Sequence, residues 1–464
     1  MSPEPQEITR CPAPDTAAAG TNTVIRVHSA DPIDAATVGA ASLRVIVGDV
    51  EVAGAIEVAP QAITFLPQDP LPPDQLVQVL LSPEARDDKG RSLAAAGGSW
   101  TFSTASGPTP QAGFVFSPAA AVNGGTHAPR HALVMDGEHP VLTWATGSSL
   151  LVSAFDGVSF PAPATIIDGA FADQLTLALG AGKAHFGWTY FEGPGTIMYN
   201  RADLPFGGAV TESVGISPAS YAAKIAADQA GNVALVWHVH PDYWTGWGFR
   251  YSTSSDDGSS FSPPVMLDPT STCADVLYVD GYLVIVWGSG DYGSQEVRIA
   301  ASADNGATFG EPTTLATSMA QVWCPHAIDS GGKALVVFDD GPGIGQRSTY
   351  VTSFDPATGA AGPVVQVTPP DELNMCATIV GSSDGKVAVA RTRGEPFGTN
   401  NVTELLISED SGRTFGAPTT VDVMLGDEGC PDVGHAPSGD VYLAWARDTY
   451  ALMWSRGRPR RPCE

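Results

Sequence analysis

An apolar run closed by a large side chain recurs along most of the chain: VLTWA, AHFGW, VALVW, LVIVW, ALVVF, VAVAR and VYLAW. Its marker residues are Trp144, Trp188, Trp237, Trp287, Phe338, Arg391 and Trp445, spaced by 44, 49, 50, 51, 53 and 54 residues. Each run follows another apolar segment and a tight turn such as DGEH, GAGK, QAGN, SGGK, SDGK or PSGD. A third segment comes after it, for example 248–254, 296–302 or 404–410. Four strands in about 50 residues is the period of a β-propeller blade, so seven copies predict seven blades. Upstream, TVIRV (23–27), SLRVIV (42–47), AITFLP (62–67), QLVQVLLS (75–82) and SWTFSTA (99–105) alternate apolar and polar positions between turns. Several short strands in about 80 residues predict a separate β-sandwich.

The predicted organisation is a lead-in over 1–22, a sandwich over 23–105, a linker over 106–112 and a propeller over 113–464. The seventh repeat supplies only three strands. GFVFSPAAAV (113–122) aligns Phe116-Ser117-Pro118 with Phe261-Ser262-Pro263, so it would supply the fourth and close the ring.

A second signature sits in the turn between third and fourth strands. Ser254, Asp256, Gly258 and Phe261 recur as Ser302, Asp304, Gly306 and Phe309, and as Ser408, Asp410, Gly412 and Phe415. Degenerate copies lie at 153–160 and 353–359. The spacing resembles the Asp-box, or BNR repeat, of sialidase-like propellers. The segment 31–105, with DPIDAATVGAASLRV, ITFLPQDPLPPDQLVQVLL and DDKGRSLAAAGGSWTFSTA, resembles the bacterial Ig-like domain found on surface-layer and secreted proteins. In the box, Asp is expected to cap turn N–H groups, Gly to supply a positive φ, and the aromatic to pack between sheets. Those residues are therefore structural.

The fold class is all-β: an N-terminal Ig-like sandwich, then a seven-bladed propeller, or a six-bladed one as in the catalytic sialidases. The 51 glycines and 38 prolines of the 464 residues suit such a turn-rich chain. A net charge of −27 repels phosphate and excludes a nucleic-acid binder. No apolar run is long enough to span a membrane. Six cysteines, at 11, 273, 324, 376, 430 and 463, match no zinc spacing. Four of them precede the first strands of blades 4 to 7. Pairing of neighbours, 273 with 324 and 376 with 430, would leave 11 and 463 to tie the ends, although six cysteines allow 15 pairings. An even count in an acidic chain suits an exported protein, extracellular, cell-surface or periplasmic. A monomer is expected.

Binding chemistry is expected where the first strand begins and the second strand leaves, opposite the box turns. Blade 3 offers His238, His240, Asp242, Tyr243, Trp244 and Trp247, able to stack on a sugar face, or to pack against a neighbouring loop. Arg130, Arg391, Arg393 and Arg447 fall on adjacent blades 6, 7 and 1. They would clamp a carboxylate or pair with Glu395, Asp432 and Asp448. The sialidase resemblance implies an arginine triad and a tyrosine nucleophile, for which Arg130, Arg391, Arg447 and Tyr450 are the candidates. No RIP-type motif precedes them, since APRHALV stands there. No cofactor is defined; acidic loops such as DDG (339–341) are candidates for calcium, without an EF-hand or nonapeptide pattern. The expectation is a propeller that binds a glycan or a surface protein. An exo-sialidase-like hydrolase and a structural envelope component are the alternatives.

Overall fold

The structure is a computed structural model. It describes residues 8–21, 23–106, 114–126, 130–146, 149–168, 172–190, 196–204, 214–218, 220–239, 248–290, 295–318, 321–341, 347–368, 374–381, 386–394, 401–408, 410–424, 430–447 and 451–459. The chain is all-β. The described helical residues are two single 3₁₀ turns, Ala35–Thr37 and Leu93–Ala96. No helix is long and apolar enough to cross a membrane. Contacts divide the chain into two compact units, Met1–Phe114 with Pro459–Glu464, and Val115–Arg458.

The first unit holds two antiparallel four-stranded sheets. One orders Ile8–Cys11, Ile25–Ser29, Ala62–Pro67 and Gly54–Ala59. The other orders Val50–Glu51, Leu43–Val47, Leu76–Leu81 and Ser99–Ser103. Alternate residues point into one shared core: Ile25 and Val27, Leu43 and Val45, Val77 and Val79, Trp100 and Phe102. This is the period-2 rule for strands with one wet face.

Seven antiparallel sheets make the second unit among the described residues. Their first strands are His131–Asp136, Ala172–Gly180, Ser220–Ala227, Ser271–Val279, Gln321–Asp329, Asn374–Gly381 and Asp432–His435. Each first strand packs on that of the next sheet, and the seventh packs on the first, so the sheets form a closed ring. Closure is made by chain-distant pairing. Phe114–Phe116 and Ala120–Thr126 both pair with Ala451–Pro459, the last strand. Ser117 N–H donates to Arg456 O at 2.9 Å in the same seam.

The second strands are the driest part of the ring. Trp144, Trp188, Trp237, Trp287 and Trp445 are fully buried there. Burying a large apolar side chain contributes about 1.5–3 kcal/mol, so the repeat marker is also a main source of stability. Arg391, at the same repeat position, is fully buried too.

The three box turns share one geometry. Ser254 Oγ donates to Asp256 Oδ1 (2.7 Å), Gly258 N–H donates to Ser254 Oγ (2.9 Å), and Ser260 N–H donates to Asp256 Oδ1 (2.8 Å). The copies at Ser302–Asp304–Thr308 and Ser408–Asp410–Thr414 repeat these bonds. These bonds, first from Ser260, Thr308 and Thr414, hold each aspartate at about 2. Two consecutive left-handed residues make the turn, Asp257 (φ 60°) and Gly258 (φ 74°) in the first copy. A Cβ on Gly258 would lie 1.8 Å from Tyr199 Oη. Phe261 meets Tyr199 edge-on at 4.8 Å, and Phe309 meets Tyr251 at 5.1 Å, so each packs on the preceding sheet.

Cys273 bonds Cys324 and Cys376 bonds Cys430, each joining adjacent sheets. Cys273, Cys324 and Cys376 lie inside their first strands, not ahead of them; Cys430 precedes its strand by two residues. Cys11 is disulfide-bonded, while Cys463 lies outside the described residues.

Candidate functional site in the ring channel

Register places one polar residue at a single level of the ring in six of the seven sheets. Thr176 stands opposite Gly187, Lys224 opposite Val236, Asp275 opposite Val286, His326 opposite Val337, Thr378 opposite Ala390 and Asp432 opposite Ala444. Every partner immediately precedes the repeat marker. In the first sheet Ala132 holds the place, and His131 beside it reaches Asp432. First strands line the centre of such a ring, so this layer gives the central channel a polar lining.

The side chains converge across sheets. His326 Nδ1 lies 3.6 Å from Asp275 Oδ2, which also accepts Ala327 N–H at 3.0 Å. His131 Nε2 lies 3.6 Å from Asp432 Oδ2 and 3.2 Å from Ala444 O. Thr378 Oγ1 donates to Pro431 O at 2.6 Å. Burial works against ionisation of Asp275, but the neighbouring His326 and Lys224, with the N–H group of Ala327, outweigh it and hold the carboxyl below its ordinary range. Burial wins at Asp432, whose carboxyl is pushed up despite His131, Lys224 and His326. Two carboxyls of one channel are thus driven in opposite directions.

His326 links this layer to a second buried group. Asp339 is pushed up by burial, opposed by Thr349, Arg347, His326 and Arg391. Thr349 Oγ1 donates to Asp339 Oδ1 at 2.6 Å. Burial lowers Arg347 to about 10, against the pull of Asp339. Alongside, Arg391 Nε and Nη2 donate to Glu404 Oε2 at 3.0 and 2.7 Å, and Arg393 Nε donates to Oε1 at 2.9 Å.

The expected site residues are distributed as follows. Arg391 and Arg393 come together, but on Glu404 of the adjoining strand; the partners expected for the arginines were Glu395, Asp432 and Asp448. Glu395 and Asp448 lie outside the described residues, and Asp432 belongs to the channel layer. Arg447 pairs with Asp422, the last strand of the preceding sheet. The same carboxylate accepts Trp445 Nε1–H at 3.2 Å. Arg130 is exposed just before its strand. His238 is buried within Val233–Val239. His240, Asp242, Tyr243, Trp244, Trp247 and Tyr450 lie outside the described residues. In the acidic run, Asp339 accepts from Thr349 and Asp340 from Ser318. Among the described residues, no three His, Cys, Asp or Glu side chains are grouped to hold a metal ion.

The sequence reading overlooked Lys224, Asp275 and His326. The signal was present: each polar residue stands 12 or 13 positions ahead of its repeat marker. Finding it required following the register of the first strand as well as the second.

No family model matches the chain, and no curated protein matches it. Solved structures do. A family PL25 ulvan lyase bound to -[GlcA(1-4)Rha3S]- is 11% identical, with 73% of this chain and 95% of that one covered and a TM-score of 0.49. A Dyadobacter fermentans protein of unknown function is 11% identical over 75% and 100%, at 0.48. A Trypanosoma rangeli sialidase in complex with sialic acid is 14% identical over 64% and 55%, at 0.42. At these identities and scores, nothing about activity passes from those proteins to this chain.

Proposed function

We propose that the ring is a seven-bladed propeller of the Asp-box kind, that the unit before it is an Ig-like spacer, and that the channel binds the polar end of a glycan. The observation that carries this reading is the layer of Lys224, Asp275, His326 and Asp432, drawn from four sheets to one level, with His131 of a fifth sheet beside it. Such a layer offers donors and acceptors side by side, as sugar hydroxyls require. Crowding so many half-buried ionisable groups together costs stability unless they are used. In this reading Tyr243, Trp244 and Trp247 supply the aromatic faces on which a sugar ring stacks. The disulfides between sheets suit an exported protein that presents this face outside the cell.

The test is a glycan array, followed by calorimetry on the best hit with wild type and Asp275→Asn. Binding weakened at least tenfold in the variant supports the reading. An array without hits overturns it.

One observation favours a second reading, a glycoside-cleaving enzyme. Carboxyls whose surroundings separate their protonation are the usual acid and base of such chemistry, and Asp432 is raised while Asp275 is lowered. Asp432 would then donate the proton. Turnover of a fluorogenic glycoside, lost in Asp432→Asn with binding retained, selects this reading over simple binding.

A further inference from the structure

A groove between the fifth and sixth sheets differs from its repeats. It encloses about 230 Å³ between the first turn and third strand of the fifth sheet and the box turn of the sixth. Lys333 and Arg413 line it with Ser330, Thr352, Ser353 and Ser411, and no carboxylate does among the described residues. The corresponding groove between the third and fourth sheets is lined, among the described residues, by Asp304 and by no cation. There Ala307 holds the place of Arg413, directly after the box glycine, and the remaining copy has Ser259. The arginine is therefore not required by the turn.

Neither Lys333 nor Arg413 forms an ion pair among the described residues, although acidic side chains outnumber basic ones 50 to 23. Asp355 accepts the N–H groups of Thr358 and Ala357 at 3.2 and 3.0 Å, and those bonds together with the charge of Lys333 hold its carboxyl below the ordinary range. Asp329 accepts Gly332 N–H at 3.0 Å, and Asp410 accepts from Ser408 and Thr414. Hydroxyls surround the two cations. A Cβ at Gly362 would lie 2.3 Å from Ser353 Oγ, so the glycine leaves that hydroxyl its place on the wall.

We propose that this groove binds a compact oxyanion: the carboxylate or sulfate of a single sugar residue, or a free inorganic oxyanion. A guanidinium fork and an ammonium, assisted by serine hydroxyls, match planar or tetrahedral oxygen groups. The volume is below that of a pocket for a drug-sized ligand. The negative field of the whole protein disfavours a long polyanion.

The experiment titrates the full chain, by calorimetry at matched ionic strength in chloride, with sodium sulfate, sodium glucuronate and glucose. Wild type is compared with Arg413→Ala, the residue found naturally at 307, and with Lys333→Gln. Saturable binding of sulfate or glucuronate, weakened at least tenfold in both variants, is expected. Tighter glucuronate identifies a sugar acid as the source, and tighter sulfate a free oxyanion. Absence of saturation with either anion, unchanged binding in the variants, or glucose binding as well as glucuronate would overturn the proposal. Melting curves of the variants, both altered at exposed positions, show whether the fold is kept.

Discussion

Replacing Arg391 by methionine separates a structural role from a ligand clamp. The guanidinium is fully buried, and its partner Glu404 is 4% exposed. Two of the Glu404 hydrogen bonds come from Arg391 and one from Arg393, whose own side chain is 40% exposed. Arg391→Met leaves a buried carboxylate with one half-exposed partner. Breaking such a pair costs about 3–5 kcal/mol, and Arg393 should keep the loss near the lower end. The double variant Arg391→Met/Glu404→Leu removes both buried charges and should recover to within about 1 kcal/mol of wild type. Urea unfolding followed by tryptophan fluorescence measures this, because five fully buried tryptophans report on the ring. A loss under about 1 kcal/mol in the single variant, accompanied by loss of ligand binding, would refute the reasoning and make Arg391 a direct ligand contact.

Acid should act in two stages. His185, lowered to about 4 chiefly by burial, takes up its proton more readily when unfolded, so stability falls as pH drops from about 6.5 to 4. The shift corresponds to about 3 kcal/mol, and His185→Gln should flatten that limb of a stability–pH curve. The box aspartates, lowered to about 2, stabilise the fold above their unfolded values, and that contribution is lost as pH falls from about 4 to 2. An unchanged melting temperature between pH 4 and 2 would contradict this assignment. Removing the Cys273–Cys324 bridge, with a sequence separation of 51, should cost about 4 kcal/mol by loop-closure entropy, read as a denaturant midpoint shift in Cys273→Ser/Cys324→Ser. Deleting 114–126 leaves Ala451–Pro459 without its closing partner, and size-exclusion chromatography should show aggregation; a stable monomer would contradict the closure.

The sequence carried the sheets because their period is set by backbone geometry. A buried second strand must be apolar throughout, and its turn must be polar and glycine-rich. Both constraints repeat every 50 residues or so, and the marker residues register them. The chemistry was less legible. Arg391 broke the repeat and so attracted attention as a ligand contact, yet its partner Glu404 lies directly across the neighbouring strand, a pairing that only the register reveals. Asp275 and His326 belong to first strands whose bulges shift the alternation, between Ser271 and Cys273 and between Trp323 and His326. A bulge changes which residues face the channel, and period-2 reading does not register it. The two successive left-handed residues of the box turn were half legible, because the glycine announces itself and Asp257, Asn305 or Ser411 before it does not.

The measurement nearest the central claim is hydrogen exchange on the full chain with and without the best glycan from the array. The account predicts added protection in the first strands Ser271–Val279, Gln321–Asp329 and Asp432–His435. Protection confined to the box turns or to the N-terminal sandwich, with these strands unchanged, would contradict it.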